Sequence, residues 1–98
     1  MRRGFVYIMT NKPHGTLYTG VTGNLPERVH QHKTGAGSEF VRRYGLTMLV
    51  WFEIHQTLPA AIQRETSIKR WKRNWKIDLI NATNPDWGDL ALTELWGL

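Results

Sequence analysis

Ninety-eight residues, 41% hydrophobic and 21% charged, are enough for one small globular domain and too apolar for a disordered chain. The absence of cysteine excludes disulfide scaffolds, thiolate zinc sites and cysteine nucleophiles, and leads us to expect a reducing, cytoplasmic setting. The net charge of +5 is unevenly spread: residues 64–76 carry +5, residues 1–63 carry +4 and residues 77–98 carry −4. Such clustering suits either a polyanionic partner or a solvated helix face.

Two arginines precede the apolar stretch Phe5–Met9, but it is too short for the core of a signal peptide. No apolar run approaches the ~20 residues of a transmembrane helix. With no repeat and no linker, one domain over residues 1–98 is the simplest reading, with residues 86–98 as a candidate C-terminal arm.

Phe5–Thr10 is β-branched and aromatic and predicts a strand. Asn11-Lys12-Pro13-His14-Gly15 is turn chemistry, and Leu17–Thr22 predicts the second strand of a hairpin. Pro26 to about Lys33 predicts a helix capped by Asn24, with a shorter helix over Glu39–Arg43. Thr47–Ile54 is the most apolar run and predicts a buried central strand. Thr57 caps the longest helical pattern, in which Ile62, Glu65, Ile68, Trp71, Trp75 and Leu79 form one stripe. A break near Asn74 would divide this pattern in two, and Asn84-Pro85 ends it. The order β-β-α-β-α-(α) predicts an α+β fold, a small, mainly antiparallel sheet with helices packed on it.

Three groups of residues carry candidate chemistry. Tyr7 and Tyr18 lie on the two hairpin strands, where cross-strand neighbours present both phenols on one face. Arg28 and His32 are four apart on a predicted helix and share a side; guanidinium forks match phosphate oxygens, and imidazole relays protons near neutral pH. Glu65 is the only acid in the basic segment and falls on the apolar stripe. A carboxylate there needs compensation, either from a nearby Lys or Arg or from a divalent cation.

Together these residues resemble the GIY-YIG nucleases. Phe5-Val6-Tyr7 and Tyr18-Thr19-Gly20 are similar to the two name-giving triplets, although neither keeps all the name-giving letters. Arg28 follows the second tyrosine by ten residues, His32 by four more, and Glu65 stands on a later helix. The resemblance runs from Phe5 to about Leu90, and the segments Ile68–Arg73 and Asn84–Trp87 look most like the small stand-alone bacterial members.

The resemblance implies a three-stranded antiparallel sheet flanked by helices and a metal-dependent endonuclease with weak sequence specificity. It implies Mg²⁺ (or Mn²⁺) on Glu65, Arg28 on a phosphate oxygen, and one of Tyr7 and Tyr18 as general base or water-positioner, with nearby Arg28, His32 or the metal lowering its pKa. His32 would assist. Nucleic acid, DNA more than RNA, is the implied partner. Its contacts are expected from Lys33, Lys69, Arg70, Lys72, Arg73 and Lys76, and from Asn84 or, second, Asn81 as the family asparagine. Trp71 and Trp75 are expected in the core, with base stacking as the alternative. A non-catalytic nucleic-acid-binding module is one rival reading. The other is a protein-interaction domain docking through Trp87 and Trp96.

Overall fold

The computed structural model describes residues 2–95. It contains three strands, β1 (Gly4–Thr10), β2 (Leu17–Thr22) and β3 (Met48–His55), and four helices, α1 (Leu25–Thr34), α2 (Glu39–Tyr44), α3 (Leu58–Lys69) and α4 (Arg73–Thr83). A single 3₁₀ turn follows at Leu90–Leu92. The sheet is antiparallel in the order β2-β1-β3, which makes the fold α+β with a three-stranded sheet, as expected.

The central strand is β1, not the more apolar β3. All seven β1 residues are buried, whereas β3 is buried only from Leu49 to Trp51 and turns polar at Glu53 and His55. The expectation of a central third strand fails because total hydrophobicity does not report position in a sheet. β1 pairs on both sides, with β2 through the hairpin and with β3 through a longer return.

Alternation along β1 divides the interior into two layers. Phe5, Tyr7 and Met9 pack with Leu25 and Val29 of α1, Val41 of α2, and Leu46 and Leu49. Val6 and Ile8 pack on the other side with Val50, Trp51, Ala61 and Ile68 of α3, Ile80 of α4 and Trp87. An irregularity shifts the β1–β3 register between Ile8 and Met9, so that Ile8 faces Trp51 while Met9 faces Leu49. Val50 is left as the extra residue of a bulge.

Both capping expectations hold. Asn24 accepts from the Glu27 amide at the start of α1, and Thr57 accepts from the Ala60 amide at the start of α3. The long helical stripe does not hold. The helix breaks at residues 70–72, two residues before the division expected near Asn74, and α4 starts at Arg73. Ile62 and Trp75 therefore face solvent, Trp75 at 54% exposure. The buried positions of α3 and α4 are Ala61, Ile68 and Ile80.

The described part of the candidate arm is packed down. Trp87 is 1% exposed, which removes it as a docking residue, and Leu90, Ala91 and Leu95 lie against the first layer. Trp96 falls outside the described residues. No helix among the described residues is long and apolar enough to cross a membrane.

Candidate active site

Tyr7 is the centre of the site. It stands midway along β1, wholly buried, with its hydroxyl 2.8 Å from His32 Nε2. Strand register sets Gly20 of β2 directly opposite, and the phenol lies across it. A Cβ at residue 20 would stand 2.4 Å from both Tyr7 Oη and Cζ, so only glycine lets the ring reach over the edge strand. Tyr18 pairs with Met9 and so lies diagonal to Tyr7, with ring centroids 6.3 Å apart. The His32 ring closes the triangle, 5.6 Å from Tyr7 and 5.8 Å from Tyr18.

Helix α1 delivers His32 on the face that also buries Leu25 and Val29. The following loop passes tightly over the imidazole: a Cβ at Gly37 would lie 2.3 Å from Nδ1. Nδ1 itself is buried and has no hydrogen-bond partner. One turn earlier, the Arg28 guanidinium donates to Gln31 Oε1 at 3.1 Å and lies near the Tyr7 hydroxyl. Arg28 also lines a polar cavity of about 240 Å³ with Arg2, Thr22, Asn24, Glu27 and Gln31.

Burial decides the protonation of the pair. It pushes the Tyr7 phenol up to about 12, against the lowering pull of Arg28, with Tyr18 and Glu65 adding to the rise. The expected lowering of a tyrosine by Arg28 is thus present at Tyr7 but outweighed. Burial, and then Arg28, push the His32 imidazole down to about 4. At neutral pH both rings are uncharged.

Glu65 comes from the other helix layer. α3 packs against β1 and β2, and its buried residues Ala61 and Ile68 belong to the second interior. The Tyr7 phenol lies across Gly20, and the Glu65 charge adds, as the smallest contribution, to the rise of the Tyr7 pKa. The Glu65 side chain is only 12% exposed, and its one ion pair among the described residues, at 3.2 Å, is with the half-exposed Lys69.

Among the described residues no group of three or more His, Cys, Asp or Glu side chains could cage a metal. A nearly buried single carboxylate held only by a flexible surface ammonium fits a different kind of ion. Mg²⁺, or Mn²⁺, keeps most of its waters and takes substrate phosphate oxygens as further ligands.

Comparison with known proteins now bears on this geometry. A family model of the GIY-YIG catalytic domain matches residues 3–78. The chain belongs to the GIY-YIG family. It is 40% identical to a UPF0213 protein of Clostridium perfringens over 78 residues, 80% of this chain and 83% of that one. A UPF0213 protein of Haloquadratum walsbyi is 37% identical over 75 residues, 76% of this chain and 83% of that one. The solution NMR structure of a UPF0213 protein from Bacillus halodurans is similar with a TM-score of 0.56 and 26% identity. That likeness covers 96% of this chain and 97% of that one.

Other residues singled out in the sequence lie away from the GIY-YIG phenols or are already engaged. Lys33 donates to the Thr47 carbonyl at 2.9 Å and pairs with Asp89, tying α1 to β3 and the C-terminal segment. Arg73 donates 2.7 Å bonds to the His14 and Gly15 carbonyls and clamps the hairpin turn. Asn84 is buried; its amide donates to the Val50 and Gly88 carbonyls, which leaves it no proton for nucleic acid. Asn81 accepts from Trp87 Nε1 at 2.7 Å. Lys69, Arg70 and Lys72 are exposed at the α3–α4 junction. Lys76 is held below the usual lysine range by burial and by Arg73 and Lys69, and it lines a groove with Thr16, Leu17, Trp71 and Arg73.

Sequence reasoning missed Phe40 and Tyr44. Their rings continue the aromatic contacts outward from Tyr18, at 6.1 Å and then 4.8 Å. The available signal was two rings at i and i+4 interleaved with Arg42 and Arg43.

Proposed function

We propose that this GIY-YIG protein is a metal-dependent endonuclease that hydrolyses phosphodiester bonds in DNA with weak sequence specificity. The observation that carries this reading is the gathering around one phenol: the Tyr7 hydroxyl is 2.8 Å from His32 Nε2, the Tyr18 ring is 6.3 Å from that of Tyr7, and the Arg28 guanidinium lies beside them.

Phosphodiester hydrolysis needs an in-line water, a neutralised phosphate and a stabilised leaving oxygen. Arg28 is suited to the phosphate: its guanidinium faces a polar cavity wide enough for one and sits beside the phenol. Loss of such a charge-stabilising donor costs about 3–4 kcal/mol in the transition state. A divalent ion on Glu65, when bound, supplies Lewis-acid stabilisation of the leaving oxygen.

Tyr7 and Tyr18 orient the attacking water. In the resting site Tyr7 is not a base: burial raises the phenol and lowers the imidazole, so the proton stays on Tyr7. Only substrate and cation charges arriving at the site would change that balance. His32 fixes the phenol through its 2.8 Å hydrogen bond. The exposed cations Lys69, Arg70 and Lys72 hold the backbone, which carries salt dependence but little sequence information. Trp75, stacked edge-on with Trp71 at 6.2 Å and open to solvent, is free to meet an unpaired base.

The test is a cleavage screen over single-stranded, duplex and branched DNA and RNA, with and without Mg²⁺, using the native chain and Glu65→Ala. Mg²⁺-dependent cleavage that Glu65→Ala abolishes while binding persists supports the reading. Retained cleavage by Glu65→Ala overturns the metal assignment. Binding without cleavage by the native chain leaves a nucleic-acid-binding module, and affinity that is flat against ionic strength points to a protein partner.

A further inference from the structure

We infer that α2 is a stacking platform for an unpaired stretch of the DNA strand that enters the active site. This rests on the nuclease reading above and adds a substrate geometry to it. Of the six residues of α2, only Val41 is buried in the core. Phe40 and Tyr44, four apart and on one side of the helix, are 44% and 46% exposed. These two large rings pack on each other and on Tyr18, yet almost half of each remains exposed and offers an aromatic surface to a partner.

Their arrangement is continuous with the site. Tyr7 meets Tyr18 at 6.3 Å, Tyr18 meets Phe40 at 6.1 Å with planes 30° apart, and Phe40 meets Tyr44 at 4.8 Å. The row runs unbroken from the buried hydroxyl to the surface. Cations accompany it. The Arg43 guanidinium lies 5.7 Å over the Tyr44 ring, and Arg42 is mostly exposed, with only a loose 3.9 Å pairing to Glu39. Among the described residues no ring contact links the Trp71–Trp75 pair to the phenols, which makes α2 the aromatic surface attached to the reacting centre.

Aromatic side chains beside arginines bind single strands by stacking on bases while the cations follow the phosphates. Inside a duplex the base faces are already stacked and a protein ring has nothing to cover. The α2 row therefore selects a strand that is open next to the scissile phosphate, as in a flap, a splayed arm or an overhang. A plain duplex would contact only the cations.

The test uses the native chain in metal-free buffer, so that binding is read without cleavage. Fluorescence anisotropy compares a labelled DNA duplex with the same duplex bearing a single-stranded arm, and a 2-aminopurine in the arm reports stacking. We expect about tenfold tighter binding of the armed duplex, with quenching of the 2-aminopurine. Phe40→Leu/Tyr44→Leu should bind both DNAs alike, and Phe40→Tyr/Tyr44→Phe should keep the preference because both rings remain. Equal affinity of the native chain for the two DNAs, or a preference that survives the leucine pair, overturns the platform. If the leucine pair fails to fold, the 2-aminopurine signal in Trp75→Leu, which keeps both α2 rings, decides: no quenching there overturns the platform, and quenching supports it. Preference without any Mg²⁺-dependent cleavage sinks the nuclease reading alone and leaves the platform standing.

Discussion

The Tyr7 hydroxyl and His32 Nε2 are 2.8 Å apart, and burial moves their proton affinities in opposite directions, to about 12 and about 4. Each shift carries its own dependence of stability on pH. The unfolded imidazole takes up a proton near its ordinary 6.5, whereas the folded one resists until about 4. The His32 contribution is therefore complete above pH 6.5 and lost as pH falls to about 4, on the order of 3 kcal/mol. Tyr7 acts at the other limb: its contribution is whole below pH 10 and lost as pH rises to about 12. Urea unfolding midpoints across the acid range should show the loss in the native chain and a much flatter profile in His32→Gln. An equally steep acid limb in His32→Gln would remove His32 as its cause.

Gly20→Ala is expected to damage stability and activity together. The added methyl would sit 2.4 Å from the Tyr7 hydroxyl, between a strand and a buried ring with nowhere to retreat. Overpacking of this kind costs about 1–3 kcal/mol. Calorimetry should show a lowered melting temperature, and cleavage should fall more than the folded fraction does, because the phenol is displaced from His32.

Arg73 belongs to the basic segment by sequence and to the hairpin by contact. Removing it frees the carbonyls of His14 and Gly15. Arg73→Ala should lower unfolding free energy by about 1–3 kcal/mol, since its charge-assisted bonds leave two carbonyls without a protein donor. Arg73→Lys should recover only part of this, because an ammonium does not reproduce the guanidinium fork. Denaturant titration checks both.

Lys33 and Arg70 give opposite expectations. Arg70→Ala should reduce the slope of log affinity for DNA against log salt by about one and leave stability within about 0.5 kcal/mol. Lys33→Met should leave that slope unchanged and reduce stability, since its ammonium is held by Asp89 and the Thr47 carbonyl. A flattened slope in Lys33→Met would mean that this cation leaves its internal partners for phosphate.

The hairpin, both capped helices and the α+β class were legible because each rests on local chemistry: β-branched runs, turn residues, and Asn24 and Thr57 as caps. The meeting of Tyr7, Tyr18, Arg28 and His32 was also legible, since hairpin register and helical spacing are short-range rules. What failed was long-range. Strand order depends on which strand pairs twice, which the apolarity of β3 does not encode. The division of the long pattern into two helices was legible, but the stripe was drawn across it, and Ile62 and Trp75 fall outside the buried face. The engagement of Lys33, Arg73 and Asn84 depends on partners 14 to 59 positions away. The balance at the phenols was not legible, because a sequence shows the charge of Arg28 but not the burial that outweighs it at Tyr7.

The asparagine at 84 and the aspartate at 89 attach to the backbone of β3, one donating to the Val50 carbonyl and the other accepting from the Leu49 amide. Side chains here take the place of a fourth strand along an outer edge. A chain cut short of residue 84 would bare an unprotected edge rich in Leu, Val, Trp and Phe, which invites edge-to-edge pairing of copies. The C-terminal segment thus covers backbone groups of β3 that another strand would otherwise pair with.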